Sequence, residues 1–169
     1  TWWSKLPFLA KGGLLRQADK RQAQGDLVGA FQRLARAARK GDPEACLRVG
    51  QAYLQGAGVP PSISDGLLWL ERAAEKDHVP AQALLATMLL RGLVGDPDPT
   101  QPSGAVLFKS GQRASQDGSS GPDFTKATKW ARRAADAGSA EGQAALAYIL
   151  TSGPQELRDV PRARELYQL

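Results

Sequence analysis

Histidine and cysteine each occur once, as His78 and Cys46, and their scarcity excludes much chemistry. A lone cysteine cannot close an internal disulfide, so a disulfide-stapled scaffold is ruled out, and cysteine usage gives no reading of the redox compartment. No His pair or Cys cluster has metal-ligand spacing, and no metal or other cofactor is expected. No stretch comes near the roughly 18 uninterrupted apolar residues of a membrane-spanning helix. The chain is therefore expected to be soluble as given. It opens on Thr1 rather than an initiator methionine, which suggests a processed or excised form whose targeting segment has been lost.

What the sequence does hold is glycine and alanine at fixed intervals. The 18 glycines fall at the ends of helical patterns rather than in the strand-to-helix turn that cradles a phosphate. Residues 41–76 contain two such patterns, Ala45, Val49, Gly50 and Tyr53 on the first and Leu67, Leu68, Trp69, Ala73 and Ala74 on the second. The first pattern restarts at Asp77 with Ala81, Leu85, Ala86, Leu89 and Gly92, an offset of 36 residues from Ala45 to Ala81. A period of that length marks a stacked helical array. Small residues at Ala45, Gly50, Ala73 and Ala74 let helix axes approach, and Tyr53 and Trp69 fill the space between turns. Gly56 and Gly58 supply a left-handed exit from the first helix, while Pro60 and Pro61 stiffen the crossing. Asp65 or a nearby serine starts the second helix.

The second pattern returns only at Asp123, with Ala127, Trp130, Ala134, Ala135 and Gly138. Trp69 and Trp130 are 61 residues apart, 25 more than the period, which places an insertion at about 93–122. It holds Pro97, Pro99 and Pro102 and one apolar island, Ala105 to Phe108, of which Val106, Leu107 and Phe108 are the candidate anchors. A loop this long is either functional or disordered. Residues 139–153 carry a further first-type helix, and Asp159 opens a last second-type helix that looks truncated, so the natural chain is expected to continue.

Residues 1–25 form a basic N-terminal segment and first helix, ended by Gly25, and Asp26 caps the next helix over residues 27–40. The net charge of +5 is uneven. Residues 1–41 hold nine Lys or Arg against Asp19 and Asp26, or +7, and the remainder holds 13 basic and 15 acidic residues, or −2. Trp2, Trp3, Phe8 and Leu9 with Lys5 and Lys11 read either as a segment at a membrane surface or as an apolar cap on the first repeat.

The recurring positions resemble the Sel-one-like repeat (SLR) family, relatives of tetratricopeptide repeats. They are Ala45, Val49, Gly50, Tyr53, Gly56 and Gly58, then Trp69, Ala73 and Ala74, with Ala127, Trp130, Ala134 and Ala135 repeating the second half. The resemblance covers about residues 26–169. It implies an all-α fold, a right-handed superhelical solenoid of antiparallel helix pairs, and a non-enzymatic adaptor, scaffold or regulatory role. The family's distribution implies a bacterial cytoplasm or periplasm. Gly66 in place of the usual alanine, Leu89 and Leu150 in place of Tyr53, and Arg33 at the position of Trp69 depart from the pattern and weaken individual repeats.

Catalytic groups are sparse. His78 sits in a turn, where a solvated or capping role is expected, and Cys46 lacks an identifiable base and reads as a small buried residue. Glu71 and Glu75 beside Arg72 and Lys76, and the Arg132–Arg133 pair, read as solvated helix faces. No enzyme and no small-molecule substrate are expected. The expected partner is another protein or a peptide segment, lying in a concave groove lined by the first-type helices. The candidate contacts are Leu47, Arg48, Gln51 and Gln55 in one repeat, Leu84, Thr87 and Arg91 in the next, and Ala145, Tyr148 and Ser152 in the third. From a different class, Lys5, Lys11, Arg16, Lys20 and Arg21 with Trp2 and Trp3 could contact an anionic membrane surface or nucleic-acid phosphates.

Overall fold

Short polar side chains punctuate the chain, and the computed structural model places a helix after each. It describes residues 6–92 and 121–167, with side chains from Gly13 to Gly92 and from Gly121 to Leu166. Trp2, Trp3 and Lys5, the side chains of Phe8, Leu9 and Lys11, and Val106, Leu107 and Phe108 in the insertion lie outside the described residues. The described residues form eight α-helices and no strand: α1 Leu6–Ala23, α2 Leu27–Arg39, α3 Pro43–Gln55, α4 Ile63–Ala74, α5 Val79–Leu90, α6 Phe124–Asp136, α7 Ala140–Ser152 and α8 Val160–Tyr167.

The first-turn amides of a helix have no partner within it, and a side-chain oxygen just before the helix satisfies one of them. Asp26 accepts from the Gly29 amide at 2.8 Å, Asp42 from Ala45 at 3.0 Å and Ser62 from Asp65 at 3.2 Å. Asp123 accepts from Lys126 at 2.9 Å, Ser139 from Gly142 at 3.1 Å and Asp159 from Arg162 at 3.1 Å. Ser62, not Asp65, is therefore the cap of α4. His78 occupies the corresponding place before α5, but its side chain makes no capping hydrogen bond.

The chain divides into two compact units, Thr1–Lys76 and Asp77–Leu169. In the first, α1 packs on α2, α2 on α3 and α3 on α4; in the second, α5 packs on α6 and α7, α6 on α7, and α7 on α8. Within each first-type/second-type pair one backbone hydrogen bond closes the connection. The amide before the second helix donates to a carbonyl in the last turn of the first: Ser62 to Tyr53 at 3.0 Å, Asp123 to Leu89 at 3.1 Å and Asp159 to Leu150 at 3.0 Å. The sequence separations are 9, 34 and 9 residues, so the middle pair closes in the same way with 25 more residues between its ends. In the first pair Asp26 donates to Arg21 at 3.0 Å, a separation of five. That connection is four residues shorter, which sets Ala18 in register with Gly50, Ala86 and Ala147.

These positions are where first- and second-type helices cross. A Cβ on Gly50 would stand 2.9 Å from the Gly66 carbonyl oxygen and 2.9 Å from Leu70 Cγ, and one on Gly66 would stand 2.7 Å from Leu54 Cδ2. Gly66 is thus part of a glycine-on-glycine crossing that lets α3 and α4 approach. The corresponding residues Ala86 and Ala127, and Ala147 and Ala163, are fully buried alanines. Around these small contacts the larger side chains Val49, Leu70, Trp130 and Ile149 are sealed from solvent, each contributing on the order of 1.5–3 kcal/mol. Trp69, by contrast, is only half-buried, with the Arg72 guanidinium 4.5 Å from its ring centre.

Candidate protein-binding face of the first-type helices

A first-type helix such as α3 or α7 packs on its second-type partner and on the helices before it, and the surface left over carries what it can offer to another molecule. In α3 the inward side is set by Gly50 and Leu54, which meet α4. Leu47 lies three and seven residues before them, so it shares that side, and it is 8% exposed. In α7 a second packed side is set by Gly142, where a Cβ would collide with Ala134 and Ala135 of the preceding helix α6. Ala145 follows at helical spacing and is 7% exposed. Leu47 and Ala145 therefore belong to the core and are corrected from the set of groove residues.

The other eight candidates are half-buried or exposed: Arg48, Gln51, Leu84 and Thr87 half-buried, and Gln55, Arg91, Tyr148 and Ser152 exposed. Arg48 is already engaged within its unit. Its Nη2 lies 2.7 Å from Asp19 Oδ1 and donates to Gln22 Oε1 at 3.2 Å, tying α3 to α1. The Thr87 hydroxyl donates to the Ala83 carbonyl at 3.0 Å, leaving its methyl group to represent it on the surface. In the second unit α5 and α7 are neighbours. Leu84, Thr87 and Arg91 lie on one of these helices and Tyr148 and Ser152 on the other. Tyr148 is 48% exposed, the one large aromatic among the candidates.

Residues read as solvated helix faces prove more engaged than expected. Lys76 Nζ donates to the Gly41 carbonyl at 2.7 Å, fastening the end of α4 to the turn before α3. Arg133 donates to Asp77 Oδ1 at 2.5 Å and sits 5.2 Å from the Trp130 ring centre. Arg21 pairs with Asp26 at 2.6 Å, whereas Arg16 and Lys20 are exposed. Cys46 is buried, its Sγ 3.7 Å from the Ala38 carbonyl, and burial pushes its thiol pKa up, away from the thiolate a nucleophile needs. Among the described residues no group of three His, Cys, Asp or Glu side chains is placed to hold a metal ion, and no helix is long and apolar enough to cross a membrane.

Comparison with known proteins places this geometry in a family. The model of the Sel1 repeat matches residues 43–78, 79–101, 105–139 and 140–169. The boundary between the second and third matches falls in the inserted segment, so they divide the α5–α6 pair. The α1–α2 pair lies outside the match. Chitin synthase regulatory factor 3 of Schizosaccharomyces pombe is 39% identical over 70 residues, 41% of this chain and 8% of that protein.

Two solved structures share the fold. One is c5321, a protective antigen present in uropathogenic Escherichia coli strains displaying an SLR fold, with a TM-score of 0.71, 21% identity, and coverage of 99% of this chain and 32% of that one. The other is a Sel1 repeat protein from Oxalobacter formigenes, with a TM-score of 0.69, 23% identity, and coverage of 94% and 56%. The chain thus spans well under two thirds of the length of each. Sel1 repeats are protein-interaction modules, generally without catalysis, and with four matches over most of its length the chain belongs to the Sel1 repeat family.

Proposed function

We propose that the chain is a non-enzymatic adaptor or scaffold module that binds a segment of another protein on the α5–α7 side of its second unit. The observation that carries this reading is Tyr148. A tyrosine left 48% exposed on a helix that packs on its neighbours through alanine and glycine keeps aromatic surface for a partner. The neighbouring helix α5 carries half-buried Leu84, the Thr87 methyl group and exposed Arg91. Tyrosine and arginine flanking a small apolar surface are the residue types that dominate binding energy at protein interfaces. The fungal relative bears a regulatory name and not a catalytic one, which agrees with a role exercised through partners.

The test is affinity capture with the intact chain and with Arg91→Glu/Tyr148→Ala, read by quantitative mass spectrometry and then by direct binding to the purified partner. The double variant should retain its helix content and lose the partner, because hot-spot truncations each cost on the order of 2 kcal/mol or more. Undiminished binding of the same partner would remove the α5–α7 side from consideration.

A further inference from the structure

A second surface is visible in the first unit, on α2. Residues Phe31, Gln32, Arg33, Ala35, Arg36 and Arg39 line an open cleft of about 320 Å³, at the lower end of the roughly 300–1,000 Å³ of ligand sites. Phe31 is held in place by Tyr53, edge to face at 89° with ring centres 5.4 Å apart. Ala35 is buried, while Gln32, Arg36 and Arg39 are exposed or nearly so along the same helix. Ala35 follows Phe31 by one helical turn in the lining, and Arg33, Arg36 and Arg39 are spaced three residues apart along the same helix. Among the described residues no hydrogen bond or ion pair engages Arg36 or Arg39. Among the described residues that line the cleft there is no carboxylate; Asp26, outside the lining, interacts with Arg33 electrostatically.

We infer that this cleft takes an acidic peptide segment of a partner, one apolar side chain entering beside Phe31 and Ala35 and the flanking carboxylates meeting Arg33, Arg36 and Arg39. Charge complementarity selects the occupant: three arginines line the cleft with Phe31 and Ala35, and planar bidentate donors suit carboxylates. The size and shape favour a peptide over the other polyanions. A cleft of this volume admits one or two side chains, whereas a bilayer or a nucleic-acid backbone would bridge over it and leave Phe31 and Ala35 unused. The unit that carries the cleft also holds the whole net charge, with 12 basic and 7 acidic residues against 10 and 10 in the second unit. Association of an acidic segment is therefore steered to it.

The experiment is fluorescence anisotropy on the full chain with a labelled peptide alternating Glu and Phe, its Gln-and-Phe counterpart, an oligothymidylate and phosphatidylserine vesicles. The Glu peptide should bind, weaken as salt rises, and lose at least about tenfold in affinity in Arg36→Gln/Arg39→Gln, since each charge-assisted contact is worth roughly a decade. Arg132→Gln, on an exposed arginine of the second unit, should leave binding unchanged. Should the double variant lose its helix signal, the single variants carry the comparison. The inference is overturned by equal binding of the Gln peptide, by no loss in the α2 variants, or by no binding at low salt. Tighter binding of oligothymidylate or vesicles through the same arginines would overturn it too.

Discussion

The glycines of this chain are not equivalent, and their surroundings decide what a methyl group would do. Gly13 lies inside α1 with nothing within 4 Å of where a Cβ would stand, so Gly13→Ala should raise stability by roughly 0.5–1 kcal/mol through helix propensity. Gly50 would gain the same propensity, but its methyl would press on the Gly66 backbone oxygen and Leu70 at 2.9 Å. Backbone cannot step aside, and overpacking costs roughly 1–3 kcal/mol. Thermal unfolding should therefore show Gly50→Ala destabilised and Gly13→Ala stabilised.

Asp77 is the converse case: it stands at φ 59°, where the equivalent Gly41 and Gly138 stand at 86° and 84°. A non-glycine residue there carries a conformational cost of about 1 kcal/mol, and its exposed pair with Arg133 offsets only part of it. Asp77→Gly should raise the unfolding midpoint slightly.

Asp26 joins residue to pH. A hydrogen bond from Arg21, with a second from the Gly29 amide, holds its carboxyl below the usual aspartate range. A depressed folded-state pKa contributes stability that is present above the unfolded value and is lost as pH falls through the folded one. In Asp26→Asn the side-chain cap persists but the charge that pairs with Arg21 is gone, so stability should fall modestly at neutral pH, change little at low pH, and the acid limb of a stability-versus-pH curve should flatten.

At the scale of the element, the caps make the helices legible. Asp26, Asp123 and Asp159 each precede a helix at the place the sequence indicates, and Ser139→Ala should cost about 1 kcal/mol, measured by denaturant unfolding. The small positions are equally legible because they recur at 36 and 61 residues. The register of α1 is not, because its connection to α2 is four residues shorter and no 36-residue comparison reaches it. Leu47 and Ala145 escape the repeat pattern for a related reason. Spacing along one helix gives a stripe but not its width, and the stripe widens wherever glycine brings the partner close.

Arg48 reads as available from sequence because its partner Asp19 is remote along the chain, in a helix the repeat pattern does not include. The closing bond from Asp123 to Leu89 across 34 residues implies that the second unit does not need the extra segment to close. Deleting residues 93–117 would leave five residues between Gly92 and Asp123, as between Gly56 and Ser62. The variant should keep its cooperative unfolding and gain about 1 kcal/mol from the shorter loop.

For the whole molecule, chemistry gives way to surface. The described polar side chains are spent on caps, on inter-helix fastenings such as Lys76 to Gly41 and Arg48 to Asp19, and on exposed faces. The two units differ in the surfaces we propose for binding, an arginine-lined cleft on α2 in the first and the α5–α7 side bearing Tyr148 in the second. The repeat architecture explains why such sides exist, since stacked helix pairs leave part of each helix uncovered by their own packing.

The α5–α7 side is tested most directly by replacing Tyr148 with a photo-crosslinking benzoylphenylalanine in the intact chain and comparing its products with those from the same residue at Arg132. A single discrete protein adduct at position 148, lost on adding Arg91→Glu and absent at position 132, is the expected outcome. Equal adducts at both positions, or an adduct at 148 indifferent to Arg91, would show that this side of the second unit is not where a partner binds.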